Sequence, residues 1–284
     1  MLNDFHVHSN ESDGQLSPEL LIDAAIGNGL STIALCDHDT TAGAKRFVMY
    51  GKSRGINALS GIELSAKWKG GNCHLLGIAV SDDYEPLESV LRKTRESRDR
   101  RNDLILERLA EIGINIRPEQ LLNEAGGEVV ARPHIAYALL KAGYVKSFQE
   151  AFDKYLSNGG AAYVDRFRLE PAEAVKLLRD AGAFAVLAHP RQLAIEKAGL
   201  FDLLIELRKA GLQGVEVYSS DTTDEQIQLY REMSLALGLA QTGGSDFHAP
   251  GLGGRDIGYY RPSIPIPKIS IPELGIHGNN DGTN

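Results

Sequence analysis

The sequence predicts an α/β protein built on a largely parallel sheet, with a helical block set into it. Three observations carry this. Short apolar segments of strand length alternate with capped, amphipathic segments of helix length, the pattern of successive βαβ units. About seven strands can be counted, enough to close or nearly close a barrel. From about Leu87 to Gly160 the alternation stops and only helical patterns are present.

Taken in order, LNDFHVH reads as a first strand. SPELLIDAAIGNG reads as a helix, with Ser17 as N-cap, Pro18 at the first helical position and glycine near the stop. STIALCDHD is a strand and TAGAKRFVMYGKSRG a helix. INALSGIELSA and NCHLLGIAV are strands, and Trp68 lies in what reads as a hairpin between them, as a loop-edge anchor or a surface for stacking a base. The interruption holds four helical patterns, beginning PLESVLRKTRES, RPEQLLNEAGG, RPHIAYALLKAGY and SFQEAFDKYLSNGG. EPAEAVKLLRDAG (helix), AFAVLAHP and LQGVEVYSS (strands), DEQIQLYREMSLALGL (helix) and AQTGGSDFH (strand) resume the alternation. The division expected is a discontinuous barrel over 1–86 and 161–270, a helical insertion over 87–160 covering the active site, and a flexible polar tail over 271–284.

The chain has 284 residues, 43% hydrophobic and 24% charged, so it can bury a full core. No apolar run approaches membrane-spanning length, and the N-terminus lacks the basic-then-apolar pattern of a signal peptide. Two cysteines, Cys36 and Cys73, make no disulfide framework, so a reducing cytoplasm is the expected location. A net charge of −8 argues against broad non-specific nucleic-acid binding, but bound cations can invert the local field for an anionic substrate.

The eight histidines are not spread evenly. His6 and His8 end the first strand, and their spacing of two puts both on one face. Asp37, His38 and Asp39 end the second strand. Glu63 is near the end of the third, His74 lies in GNCHLLG, His189 closes AVLAHP, and Asp246 and His248 close TGGSDFH. Strand C-termini are where α/β enzymes build their sites. Each residue alone has a bland reading: a chance HxH, a polar loop, a half-buried histidine, turn chemistry at Asp246. Core packing gives no reason for them to coincide at matching strand ends. His277, in the tail, reads as ordinary. Imidazole with carboxylate suits Zn, Mn or Fe(II), and so many donors exceed the need of one ion. Two or three ions fit better, with a carboxylate such as Glu63 bridging two. Such ions activate a shared water for in-line attack on a phosphoester.

Here the residues carry a resemblance. HVHSNESDGQLSPELL, IALCDHDT, GIELSA, HLLGI, LAHP and GGSDFH resemble, in order and over nearly the whole chain, the motifs of the PHP (polymerase and histidinol phosphatase) family. The resemblance implies a distorted (β/α)7 TIM-like barrel with two or three metal ions. It implies His6, His8, Asp13, His38, Glu63, His74, His189, Asp246 and His248 as ligands. His6, His8, Glu63 and Asp246 would hold one ion, Glu63, His74 and His189 a second, and Asp13, His38 and His248 a third. Gly14 would let the loop after His8 turn tightly. Asp13 stands where some relatives have histidine, which favours Mn or Fe over Zn. The insert, with ARPHIA and AAYVDRF, resembles small bacterial phosphoesterases acting on nucleotides. The implied activity removes the 3′-phosphate of a 3′,5′-bisphosphonucleoside, releasing a 5′-mononucleotide such as AMP. Alternatives are a 5′-3′ exoribonuclease on short RNA, a histidinol-phosphate phosphatase, and a metal-binding regulatory protein without activity. No obligate protein partner is evident. Arg132 would grip a phosphate, and His134 would contact it or protonate the leaving oxygen, with Asp246 beside them in the catalytic set. Arg166 and Arg168 are further candidates; their bland reading is a solvated loop. Arg95, Arg98 and Arg101 share a helix face, read either as a solvated face paired with Glu96, Asp99 and Asp103 or as a strip for a second phosphate or an RNA backbone.

Overall fold

A computed structural model of the chain describes residues 2–69, 71–81, 83–119, 121, 132–220, 222–251 and 255–276. Strand β1 (Leu2–Val7) leads to α1 (Pro18–Gly27), where the Ser17 side chain accepts from the amide of Leu20 at 3.3 Å, as an N-cap should. Then come β2 (Leu30–Leu35), α2 (Ala44–Arg54), β3 (Asn57–Leu59), β4 (Gly61–Ala66) and β5 (Cys73–Ile78). The insert holds α3 (Glu85–Glu111), α4 (Arg132–Lys141) and α5 (Phe148–Ala151), which runs on as a π-helical turn (Phe152–Leu156). Most of the helical pattern expected over 117–127 lies outside the described residues, as does His277. The second half runs α6 (Pro171–Asp180), β6 (Phe184–Leu187), α7 (Lys197–Ala210), β7 (Gly214–Tyr218), α8 (Asp224–Leu237) and β8 (Ala240–Gly243), ending in a small hairpin of β9 (Tyr259–Arg261) and β10 (Ile264–Pro265).

The expectation of a parallel sheet closing, or nearly closing, into a distorted barrel holds in part, with two corrections. The strands form a three-stranded sheet, β1-β2-β3, and a five-stranded sheet, β4-β5-β6-β7-β8. What reads in sequence as one strand over 56–66 is two, β3 and β4, and they belong to different sheets. No continuous ladder closes the ring. The sheets meet at two seams through single bridges, Val7 with Phe247 and His38 with Glu63. Strand direction also differs from expectation. β5 is antiparallel to both β4 and β6, while the other pairs within these two sheets are parallel. The Trp68 loop is thus a true hairpin, and Trp68 is its anchor: its indole N–H donates to the carbonyl of Leu193 at 2.9 Å and the ring packs on the core.

The enclosure is nonetheless barrel-like, as alternation along the strands shows. Leu75, Ala185 and Leu187 pack outward among residues of α6 and α7. The opposite faces, Leu76, Ile78, Phe184 and Val186, pack with Ala34 and Cys36 of the other sheet. Ile266, Ile269, Ile271 and Ile276 join this shared interior, so the stretch 271–276, assigned to a flexible tail from sequence, is packed in place. The insert has its own apolar cluster, including Ile105, Leu109, Ile135, Leu139 and Leu156. α3 serves both cores: Leu87 and Leu91 pack in that of the barrel, Ile105 and Leu109 in that of the insert. At 27 residues it is about 40 Å long, enough to carry side chains from one to the other. No helix among the described residues is long and apolar enough to cross a membrane.

Candidate metal centre

Asp4, His6 and His8 alternate along and just beyond β1, on one face. Asp4 is fully buried and accepts from the amides of His6 (3.2 Å), Ser245 (3.0 Å) and Gly258 (2.8 Å). It thereby pins the turn carrying Asp246 and His248 against β1. At the first seam Asp246 N–H donates to the carbonyl of His6 at 2.9 Å. At the second, Glu63 N–H donates to Asp37 and Asp39 N–H to Glu63, both at 3.0 Å. The seams where regular pairing fails are where the candidate ligands stand. His74 departs from the strand-end rule read in the sequence. It stands at the start of β5, and the reversal of that strand is what brings it to the same rim as the others.

All nine side chains expected to hold metal converge. His74 Nδ1 and His189 Nε2 each lie 2.9 Å from Glu63 Oε1. His38 Nδ1, His8 Nε2 and His6 Nε2 lie 2.8, 3.3 and 3.5 Å from Glu63 Oε2. Asp246 Oδ1 is 3.2 Å from His8 Nε2 and 3.6 Å from His6 Nε2. Asp13 lies 3.4 Å from His248, 3.7 Å from His8 and 3.8 Å from His38. Four overlapping groups of donors result: His6, His8 and Asp246; His6, Glu63 and His189; His38, Glu63 and His74; and His8, Asp13, His38 and His248. His38 thus faces Glu63 as well as Asp13.

The separations of 3.2–3.4 Å, His8 to Asp246 and Glu63 and His248 to Asp13, suit a shared ion better than hydrogen bonds. Two ligands each about 2.1 Å from one ion, at 90–110°, sit about 3.0–3.4 Å apart. Glu63 Oε2 is buried among three imidazoles yet makes no hydrogen bond, and His8 Nδ1, His38 Nδ1 and His189 Nδ1 are likewise unsatisfied. Buried polar atoms are rarely left so without an ion or water to complete them. The Nε2 atoms of His6 and His8 face each other at 3.0 Å. His6 Nδ1 donates to Glu216 Oε1 at 3.0 Å, which turns Nε2 toward the other donors; burial lowers its pKa, but the Glu216, Glu63 and Asp246 carboxylates raise it well above the ordinary value, so a cation there would displace a proton. The buried clusters therefore fit a multinuclear metal site.

The electrostatics agree. Burial alone would lower His38, but the Glu63 and Asp13 carboxylates outweigh it and carry it up to about 9. Burial opposes and Asp13 and Asp246 raise His248, also to about 9. Burial, then the neighbouring His248, pushes His8 down to about 3, so it stays neutral. Burial works against ionisation of Glu63, Asp13 and Asp246, but the surrounding histidines hold all three well below the usual carboxylate range. Among the described residues, imidazolium and Arg255, which donates to Asp246 Oδ2 at 2.6 Å, are the cations set against these ionised carboxylates.

Several residues that position the ligands were given no role by the sequence. Glu216 is fully buried in β7 and holds His6 through one oxygen and the His189 N–H through the other, at 2.7 Å. Its signal was a glutamate inside the apolar strand GVEVY. Asp37 accepts from Ser9 N–H (2.7 Å), Ser9 Oγ (2.6 Å) and Ser12 Oγ (2.6 Å), and burial lifts it to about 6 despite those bonds. His189, Asp246 and Asp39 take positive φ values of 25°, 51° and 54°, an unfavourable backbone that marks sites held by their surroundings. Gly14 lets the loop after His8 turn tightly, as expected, folding back on it with Gly14 N–H donating to the Ser9 carbonyl at 2.9 Å. A Cβ there would stand 2.3 Å from the carbonyl oxygen of His8, so it permits close approach rather than supplying positive φ. Gly244 does the same against His6 and Glu216.

The ligands open onto a cavity of about 310 Å³, walled on the other side by arginines: Arg98, Arg101, Arg132, Arg166 and Arg168. The solvated-face reading of the α3 strip is corrected for Arg98 and Arg101, each only 5% exposed. Arg98 and Arg166 both donate to the buried Asp39 carboxylate, the latter at 3.2 Å, and Ser65 N–H donates to it at 3.0 Å. Arg95 reaches the Asp39 carbonyl at 3.2 Å. Arg168 pairs with Asp165 at 2.6 Å, and Arg132 donates to the Leu156 carbonyl at 3.1 Å. Burial, followed by Arg166, Arg132, Arg98 and Arg168, depresses Arg101 to about 8. His134 is buried on α4 and is not among the residues lining the cavity.

Comparisons with known proteins agree with this architecture. The family model described as PHP domain matches residues 4–165. The chain is 32% identical over 279 residues to a 3′,5′-nucleoside bisphosphate phosphatase of Chromobacterium violaceum, covering 95% of each chain. It is 31% identical over 247 residues to a 5′-3′ exoribonuclease of Haemophilus influenzae, covering 87% of this chain and 90% of that one. An amidohydrolase structure from Chromobacterium violaceum, with bound sulfate and no metal, superposes with a TM-score of 0.82 at 31% identity, covering 91% of this chain and 90% of that chain. A converging set of buried histidines and carboxylates at the seams of a distorted α/β enclosure, together with these matches, shows that the chain belongs to the PHP family of phosphoesterases.

Proposed function

We propose that the protein is a phosphomonoesterase that removes the 3′-phosphate of a 3′,5′-bisphosphonucleoside, leaving a 5′-mononucleotide such as AMP. The observation that carries this is the pairing of two anion-holding regions in one small cavity. One is the donor set, which would hold an anion through bound metal and seven of whose nine residues line the cavity, and the other is the buried arginine cluster; the space between them is about 310 Å³. Small-molecule sites span about 300–1,000 Å³, so this one suits a single nucleotide. Buried guanidiniums that outnumber their carboxylates are relieved by an anion, and Arg98 Nη1 is buried with no hydrogen bond.

In this reading the scissile phosphate lies at the donor set and the second phosphate against Arg98, Arg101 and Arg166. Divalent ions held by His6, His8, Asp13, His38, Glu63, His74, His189, Asp246 and His248 would polarise the phosphate oxygens and lower the pKa of a water toward neutrality. Manganese suits the mix of imidazole and carboxylate, with iron or zinc as the other fits. Arg132 and Arg168 hold non-bridging oxygens as charge builds. Asp39 keeps Arg98 and Arg166 in fixed orientation. The relative named an exoribonuclease favours a second reading, in which short RNA enters and mononucleotides leave. An adjoining groove shares Arg98 and adds Arg95, but Glu11, Glu88 and Asp99 also line it, a poor path for a phosphodiester backbone.

The test compares adenosine 3′,5′-bisphosphate, histidinol phosphate and a 5′-phosphorylated trinucleotide with Mn2+ present. Phosphate and AMP from the first, at the highest kcat/KM, are expected. Stepwise mononucleotides from the third at higher kcat/KM would replace this reading with the exoribonuclease, and preferential turnover of histidinol phosphate would overturn both.

A further inference from the structure

The cavity has one feature that neither metal binding nor phosphate binding uses. Among the described residues lining it, Phe152 is the one aromatic side chain other than histidine, and it sits with Pro133 amid charged and polar groups. Ionic walls account for phosphates. They do not account for a flat apolar surface inside the same small space.

The backbone delivers Phe152 there by an uncommon route. After α5 the chain widens into the π-helical turn Phe152–Leu156, closed by Ser157 N–H donating to the Phe152 carbonyl at 2.9 Å. Such turns are energetically unfavourable and concentrate at functional sites. This one does two things. It carries Phe152, half-buried, to the cavity wall, while its last residue, Leu156, is fully buried in the insert core. It also leaves the Leu156 carbonyl free of the helical ladder to accept from Arg132, another wall residue, at 3.1 Å. The ring is braced from behind its own helix: Phe148 lies 5.2 Å from Phe152 between centroids, and Tyr137 lies 4.9 Å from Phe148. A braced aromatic face loses little entropy when a second ring covers it.

We infer that Phe152, with Pro133 beside it, is a stacking platform for the base of the substrate, so that the protein recognises phosphate esters carrying a planar heterocycle. This rests on the nucleotide reading above and goes beyond it, naming the residue that distinguishes a nucleotide from a bare sugar phosphate. A phenyl face offers no hydrogen bonds, so the platform takes purines and pyrimidines alike.

The experiment measures kcat/KM, with Mn2+, for adenosine 3′,5′-bisphosphate and for its abasic tetrahydrofuran 3,5-bisphosphate analogue, in the wild type, Phe152→Ala and Phe152→Tyr. The readout is the ratio of the two substrates. In Phe152→Ala it is expected to fall by about 5- to 150-fold, the worth of one base on one aromatic ring. In Phe152→Tyr, which keeps the ring, it should stay within about twofold of wild type. A purely structural role would lower both substrates together and leave the ratio unchanged, and that result overturns the proposal. Should the wild type act only on a 5′-phosphorylated trinucleotide, the mononucleotide reading fails by itself. The same ratio, taken between that trinucleotide and one abasic at its 5′ residue, then decides the role of Phe152.

Discussion

Replacing Glu216 with glutamine tests whether the histidine–carboxylate layer behind the donor set matters. The two side chains have the same shape, and Glu216 is fully buried, so the change removes a charge without leaving a hole. In the wild type one oxygen accepts from His6 Nδ1 at 3.0 Å and the other from the His189 N–H at 2.7 Å. A carboxamide has one acceptor and one donor. If its oxygen stays with the His189 N–H, its NH2 faces His6 Nδ1, and His6 must move its proton to Nε2, the nitrogen aimed at His8 and Asp246. If it flips, the NH2 opposes the His189 N–H, leaving a buried donor without a partner. Either outcome costs about 1–3 kcal/mol. Charged to metal binding, that is about a 5- to 150-fold loss of affinity, which brackets the roughly 10- to 100-fold typical when such a supporting group is lost. Competition titration of Mn2+ against a chelator measures it, with circular dichroism to show that the fold is retained. A folded Glu216→Gln protein with wild-type metal affinity would refute the tautomer argument.

Removing the bridging carboxylate goes further. Glu63→Ala is expected to lose about two ions from the site and nearly all turnover; wild-type kcat with full metal content by elemental analysis would exclude bridging. Metal affinity should rise with pH. His38 and His248 lie at about 9 in the metal-free chain against an ordinary 6.5, so an incoming ion must displace their protons at neutral pH. Calorimetry in buffers of differing ionisation enthalpy should show proton release at pH 7.5 that fades above pH 9, and affinity independent of pH across that interval would contradict the assignment. The same raised values stabilise the metal-free fold fully below pH 6.5, and that contribution disappears as pH climbs through 9. Thermal melts of chelator-treated protein over this range read the decline. Asp39→Asn strips two buried guanidiniums of their shared carboxylate and should cost about 3–5 kcal/mol in stability, seen as a lowered Tm; an unchanged Tm would show that the pair is not held in solution.

The alternation of strands and helices and the gathering of candidate donors at strand ends were legible in the chain because each depends on local rules. A spacing of two places His6 and His8 on one face whatever surrounds them. Ser17 caps a helix from three residues away. A cluster of rare residues at strand ends has no explanation in core packing. The direction of β5, the division of 56–66 between two sheets and the reliance of the seams on single bridges are pairings between distant segments, and they leave no periodic trace. The same holds for partnership. Glu216 in GVEVY and Asp4 in NDFHVH are short acidic residues in apolar strands until the fold sets them against His6 and the Asp246 turn. Arg98 and Arg101 repeat along a helix as a solvated face would, and only the docking of α3 against the barrel buries them around Asp39. The chain by itself thus determined which candidate donor groups stand at neighbouring strand ends, since side-chain type and spacing are local. Tertiary structure decided which of them are oriented, charged and gathered into one cavity, because burial and distance belong to contacts between residues far apart in sequence.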